Sequence, residues 1–224
     1  MQKIELKNRE VIEALNEYKD FVWSKIETNQ INEDLIFNCQ DHTRDRWIAD
    51  DYRDRIIARH NKHDGFPESL RNYKFTQPDV SSETSHGNLY KKAEPYRDAA
   101  IKLNTTLMTT LSTRRNSLCA VYPPGGWISW HNNANAYGYN ILFTWSEKGD
   151  GCFKYWDMEK GEEVVIQDEP GWQCKMGYFG GYHEDRNKLC YHAAHNDDWR
   201  ITVAYIFVEA EEFWKEVVED IQTE

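Results

Sequence analysis

The 224 residues are enough for one domain with a sizeable core, and acidic residues outnumber basic ones, 38 Asp and Glu against 27 Lys and Arg. The formal net charge of -11 argues against a broad phosphate-binding surface, so no nucleic acid is expected as partner. Five cysteines, Cys39, Cys119, Cys152, Cys174 and Cys190, are odd in number and form no C-x-x-C pair, which suits core thiols in a reducing compartment; no run approaches the roughly 18 apolar residues of a membrane span, so the expectation is a cytoplasmic protein.

In chain order, residues 9–27 carry Val11, Leu15, Tyr18, Val22 and Ile26 at helical spacing, with Asn8 placed to cap and Glu10 in the first turn. Residues 30–65 are dense in charge and predict a weak helix that directs Trp47, Tyr52 and Ile56 inward. His60 and His63 stand at metal-pair spacing there, but no Cys or His partners lie nearby, and both are expected to be solvated. Residues 65–88, with Pro67, Pro78 and a polar run, read as loop. Residues 94–115 form an amphipathic helix with Tyr96, Ala100, Leu103, Leu107 and Leu111 on one stripe.

From Ser117 the period changes to two, and strands are expected near 118–122, 127–133, 139–146, 151–157, 162–166, 171–180, 189–193 and 199–208. Short strands separated by Gly- and Pro-rich turns indicate a jelly roll or barrel. Phe213, Val217 and Ile221 then mark one face of a closing helix. The division expected is a helical and loop region over 1–116, a β core over 117–208 and a C-terminal helix over 209–224, all within one domain. Trp127, Trp130, Trp145, Trp156 and Trp172 fall in the β region, mostly as core, with one or two lining a substrate pocket.

Three groups within the β region carry the chemistry. His131 and Asn133, two apart in a predicted strand, share one face and converge on a point, with Asn132 pointing away. His192, at the end of a later strand, supplies the remaining corner of a facial metal triad with open positions. Arg200 and Thr202 share a face of the last strand and suit a carboxylate, which a guanidinium grips bidentately. His195, five residues before Arg200 and read as lying in the turn, is the rival to His192, and Asn135 is the rival to Asn133. His183 reads as a bland loop residue.

This pattern resembles the Fe(II)/2-oxoglutarate-dependent dioxygenases, and within them the prolyl-hydroxylase-like branch with its small phage and bacterial members. That family shows H-x-D/E, a distal His, and a basic residue opening the last strand as R-x-S/T; His131, His192, Arg200 and Thr202 match. Tyr122-Pro123-Pro124-Gly125-Gly126 resembles the Tyr-Pro-Gly-rich turn of prolyl hydroxylases. The resemblance covers about the last hundred residues. It implies a mainly β fold with flanking helices around a double-stranded β-helix, or jelly roll. It further implies Fe(II) on His131, Asn133 and His192, and 2-oxoglutarate held by Tyr122, Arg200 and Thr202, with a peptide or amino-acid side chain, or another small molecule, as substrate.

One departure stands out, because the acidic member of the triad is Asn133, a neutral carboxamide and a weaker ligand than a carboxylate. The leading expectation is therefore an oxygenase of the hydroxylase kind. The alternative is a jelly-roll binding or structural module with a degenerate, non-catalytic metal site, and the retained Arg200/Thr202 pair argues against it.

Overall fold

The computed structural model describes residues 1–31, 44–74, 85–113, 116–133, 136–207 and 211–224. Expectations that fall on Cys39 and Asn135 lie outside these residues. In chain order the strands are β1 (Gln2–Ile4), β2 (Leu70–Arg71), β3 (Tyr73–Lys74), β4 (Asn116–Tyr122), β5 (Trp127–His131), β6 (Gly138–Ser146), β7 (Gly151–Asp157), β8 (Glu162–Gln167), β9 (Gly171–Phe179), β10 (His192–Asn196) and β11 (Arg200–Phe207). The helices are α1 (Arg9–Glu27), α2 (Arg44–Ile48), α3 (Asp50–Arg59), α4 (Ser85–Thr110) and α5 (Glu211–Ile221).

The strands form two antiparallel sheets, β1-β9-β6-β11-β4-β3 and β2-β5-β10-β7-β8. From β4 onward the chain winds between them: β4, β6, β9 and β11 lie in the first, and β5, β7, β8 and β10 in the second. That winding is a double-stranded β-helix, and with its flanking helices it gives the mainly β fold expected.

Period-two alternation divides the first sheet. On β11 the side chains of Ile201, Val203, Tyr205 and Phe207 join the large apolar cluster with α1 and α4, while Arg200, Thr202, Ala204 and Ile206 line the cavity between the sheets. Helix α1 starts where Asn8 accepts from Val11 N at 3.1 Å, and it buries Val11, Leu15, Tyr18 and Val22 against that cluster. Helix α4 contributes Tyr96, Ala100, Leu103, Leu107 and Leu111 to the same layer. The second sheet is covered by Tyr52 and Ile56 of α3, packed on Trp130, Tyr191 and Ala193. Helix α5 closes the first sheet with Trp214, Val217 and Ile221 buried, Trp214 being more enclosed than the expected Phe213 and stacked on Tyr139 at 5.0 Å.

Several expectations are corrected. The strand expected at 189–193 lies at His192–Asn196, so His192 opens β10 where it was expected to end a strand, and His195 sits within β10, not in the turn. The segment 65–88 read as loop holds β2, β3 and the first turn of α4, residues 75–84 lying outside the described chain. Strand β1 was not expected; it pairs with β9 at the edge of the first sheet. The four described cysteines are free and buried. Among the described residues no helix is long and apolar enough to cross a membrane.

Candidate active site

His131 ends β5 and His192 opens β10, directly opposed in register with ring centroids 4.1 Å apart. Each ring is held from behind by a backbone carbonyl two residues earlier: His131 Nδ1 lies 2.8 Å from Ser129 O, and His192 Nδ1 lies 2.9 Å from Cys190 O. A carbonyl oxygen only accepts, so both Nδ1 atoms carry the proton and both Nε2 atoms keep the lone pair, the tautomer a metal ligand needs. Burial, with the neighbouring His192, holds His131 well below the ordinary histidine value, and burial lowers His192 to about 4. Both rings line the cavity, whose volume is about 330 Å³.

A β-bulge aims the first of these rings. His131 opposes His192 and Ile128 opposes Ala194, so two steps along β10 are matched by three along β5. Ile128 and His131, which plain alternation would place on opposite faces, consequently both line the cavity, while Trp130 turns outward, its indole N–H donating to Ile48 O at 3.1 Å.

Asn133 also lines the cavity, but not through the expected strand geometry. Strand β5 stops at His131, and Asn133 has φ 63, a left-handed conformation that Asn tolerates better than most residues. Its N–H donates to Gly65 O at 2.9 Å, and the Gly65 N–H donates to His63 Nδ1 at 3.0 Å. His63, expected to be solvated, is thus buried and braces the turn that carries Asn133. Asn132 points away as expected, accepting from the Tyr182 hydroxyl at 3.0 Å.

Across the cavity, Arg200 is 2 % exposed, and it is already engaged. Its Nε donates to Asp168 Oδ2 at 2.7 Å and its Nη1 to Thr202 Oγ1 at 2.8 Å, so Arg200 and Thr202 bond each other where they were expected only to share a face toward a ligand. Asp168 also accepts from Lys175 Nζ at 2.8 Å, and both of those side chains are fully buried. Burial would raise the Asp168 carboxyl, but Arg200 and Lys175 together outweigh it and hold it below the usual carboxylate range, while burial draws Lys175 below the usual lysine value. Two cations around one carboxylate leave this end of the cavity net positive, which favours an anion. Gly151 permits the arrangement, since a Cβ there would meet Asp168 Oδ2 at 2.7 Å. Tyr122 opposes Arg200 in register with its ring centroid 5.7 Å from the guanidinium carbon, and its buried phenol is hydrogen-bonded by the Asn72 side chain.

Tyr122, His131, Asn133, His192, Arg200 and Thr202 therefore line one cavity. Asn72, which also lines it, was not foreseen, nor were Asp168, Lys175 and His63, which stand behind the lining residues. Lys175 and Gln173 alternate with Cys174 and Met176, and both polar side chains are buried, Lys175 against Asp168. His195 does not join the histidine pair: it opposes Cys152, with Nε2 3.2 Å from Sγ. His183 packs beside Tyr137 at 4.6 Å. No tryptophan is among the described residues lining the cavity, against the expectation of one or two.

The donor set can be tested against iron on its own chemistry. Among the described residues no three His, Cys, Asp or Glu side chains gather as a metal set. Asn133 lines the same cavity as the histidine pair, so the described wall offers two imidazoles and one neutral carboxamide. Such a set fits a divalent first-row metal, held more weakly than by a set with a carboxylate.

No family model matches the chain, and no curated protein matches it. Among solved structures it is similar to a prolyl-4-hydroxylase of Pseudomonas putida, with 11% identity, 92% of this chain and 90% of that one covered, and a TM-score of 0.39. It is similar to the viral collagen prolyl hydroxylase vCPH of Paramecium Bursaria Chlorella virus-1, with 10% identity, coverage of 71% and 91%, and a TM-score of 0.31. It is also similar to Drosophila melanogaster CENP-C bound to CAL1, with 11% identity, coverage of 40% and 62%, and a TM-score of 0.28. All are remote likenesses, and the fold rests on the strand order itself.

Proposed function

We propose that this protein is an Fe(II)/2-oxoglutarate-dependent oxygenase of the hydroxylase kind, acting in the cytoplasm on a carbon–hydrogen bond of a peptide side chain or small molecule. The observation that carries the reading is one cavity with two unlike ends: a pair of imidazoles with Nε2 lone pairs available, and a buried guanidinium whose surroundings are net positive. A ligand with a metal-binding head and a distal carboxylate, as 2-oxoglutarate has, answers both ends at once.

In this reading His131 and His192 hold the metal through Nε2 and Asn133 through its carboxamide oxygen. Bound there, Fe(II) would supply dioxygen activation coupled to oxidative decarboxylation of 2-oxoglutarate to succinate and carbon dioxide. Arg200 receives the far carboxylate, with Thr202 and the Tyr122 phenol as hydroxyl partners. Asp168 fixes the guanidinium plane before the ligand arrives, so little of its rotamer freedom is left to lose on binding. The apolar walls keep water from the reacting centre.

Anaerobic titration of the protein with Fe(II) and 2-oxoglutarate tests this, watched by visible absorption. A metal-to-ligand charge-transfer band in the wild type, absent from His131→Ala and His192→Ala, is the expected result. Equal iron retention by either variant would remove the metal assignment. The second reading, a jelly-roll binding or structural module, is favoured by Asn133 standing where the family pattern has a carboxylate. It predicts a folded protein with no such band and no succinate released per added iron.

A further inference from the structure

Beyond the histidine pair and Arg200, the described residues that line the cavity are uncharged. Leu70, Ile128, Leu142, Phe153, Phe179 and Ile206 are among them. Arg200 is the only formally charged side chain among the described lining residues, and its Nε is already on Asp168.

The polar lining residues discriminate further. Asn116 Nδ2 donates to Leu118 O and Ala204 O, both at 3.1 Å, and Asn140 Nδ2 donates to Gly138 O at 3.0 Å. Both N–H groups of Asn116 and one of the two on Asn140 are thus committed to backbone, so Asn116 has its carboxamide oxygen left for a ligand, and Asn140 its oxygen and one N–H. An acceptor oxygen suits a neutral N–H or O–H and repels a carboxylate. An ammonium fares no better, because no carboxylate is among the described lining residues to receive it.

Size and entrance point the same way. A volume of about 330 Å³ sits at the lower end of the roughly 300–1,000 Å³ of small-molecule sites, and the co-substrate must share it. Phe66 lines the cavity while being 67% exposed, an apolar ring at the mouth that an entering apolar group would cover.

We infer that the group received beside the histidine pair is uncharged and mainly apolar: a neutral small molecule, or an apolar residue within a peptide, and neither a free amino acid nor a charged side chain. The inference rests on the oxygenase reading for the assignment of Arg200 to the co-substrate. It narrows the substrate class, because a zwitterion would bring two charges to a wall whose described residues, Arg200 aside, carry no partner for either.

The test uses the full-length, metal-free protein and saturation-transfer NMR. The probes are N-acetyl-leucinamide and N-acetyl-prolinamide, free leucine and proline, N-acetyl-lysinamide, N-acetyl-glutamate amide, and cyclohexanol. At least one neutral probe should bind roughly tenfold or more tightly than every charged one. That signal should be lost in Ala204→Leu and in Ala194→Leu, which fill the cavity from opposite sheets, each checked for an unchanged circular dichroism spectrum. Binding by the capped amides alone points to a peptide, and comparable binding by cyclohexanol to a small molecule; either supports the inference. Comparable binding of the free amino acids or the charged amides overturns it, as does failure of every neutral probe to bind the folded wild type. Fe(II) and 2-oxoglutarate titrations on the same samples are read separately. Neutral-probe binding without iron binding would remove the oxygenase reading and leave the cavity assignment standing.

Discussion

At one end of the cavity two imidazoles from the second sheet are held by backbone carbonyls and kept neutral by burial. At the other a guanidinium from the first sheet is held by a buried carboxylate that it shares with a lysine. The first end is preorganised by neutral hydrogen bonds, each worth about 0.5–1.5 kcal/mol, and loses little stability when a ring is removed. The second is a desolvated ion network, in which each charge is tolerable only because the others are present. Binding chemistry at the histidine end is therefore cheap to edit, whereas the arginine end couples ligand binding to the stability of the barrel.

The largest expected effect comes from breaking the ion network. Asp168→Asn leaves Arg200 and Lys175 as buried cations without a counter-charge and should cost about 3–5 kcal/mol. The check is the midpoint of urea unfolding. Adding Lys175→Met should recover part of the loss, since one cation fewer then faces the uncharged amide. A single variant as stable as wild type would mean that the network does not hold Arg200.

A middle-sized effect separates the two ends by pH. An unfolded histidine takes its proton near 6.5 and folded His192 only near 4, so between these values the unfolded chain binds more protons. Stability of the metal-free protein should therefore fall as pH drops through that window, by roughly 3 kcal/mol for His192 alone, with His131 acting in the same direction. Asp168 behaves otherwise: its folded value lies below the unfolded one of 3.8, so its contribution is intact throughout the histidine window and is lost only in stronger acid. Melting temperatures between pH 7 and 4 should fall less steeply for His192→Gln than for wild type. Parallel curves would count against the buried neutral imidazole.

The smallest expected effect on the fold, and the sharpest on the metal, lies at Asn133. Asp also tolerates the left-handed region, so Asn133→Asp should change stability by no more than about 0.5 kcal/mol while tightening Fe(II) binding. Asn133→Ala should lose roughly 1–2 kcal/mol to the backbone conformation and weaken the metal site. Isothermal titration with Fe(II) under nitrogen compares the three. If the alanine variant binds iron as well as wild type does, Asn133 is no ligand.

Much of the frame was legible from residue order. The apolar stripe of Val11, Leu15, Tyr18 and Val22 with Asn8 before it marked α1 at both ends, because a helix face and its cap are local properties. The change to period two after Ser117, punctuated by Gly and Pro turns, marked the strands of the β-helix and the chain neighbourhood of His131, Arg200 and Thr202.

What residue order did not contain was decided by pairing between segments distant in the chain. The bulge that turns His131 inward exists only in the register of β5 against β10, and the start of β10 at His192 is likewise a matter of partners. Nothing in residue order marks Lys175 as buried, because a polar cavity wall and a wet surface share one alternation, and period two does not say which side of a sheet meets water. Asp168 and His63 reach the site from segments with no motif, the first to balance two buried cations and the second to brace the Asn133 turn. Local pattern determined which segments become strands and helices; only the closing of the two sheets decided which polar side chains were desolvated together, because burial and charge pairing are properties of the assembled barrel and not of any stretch within it.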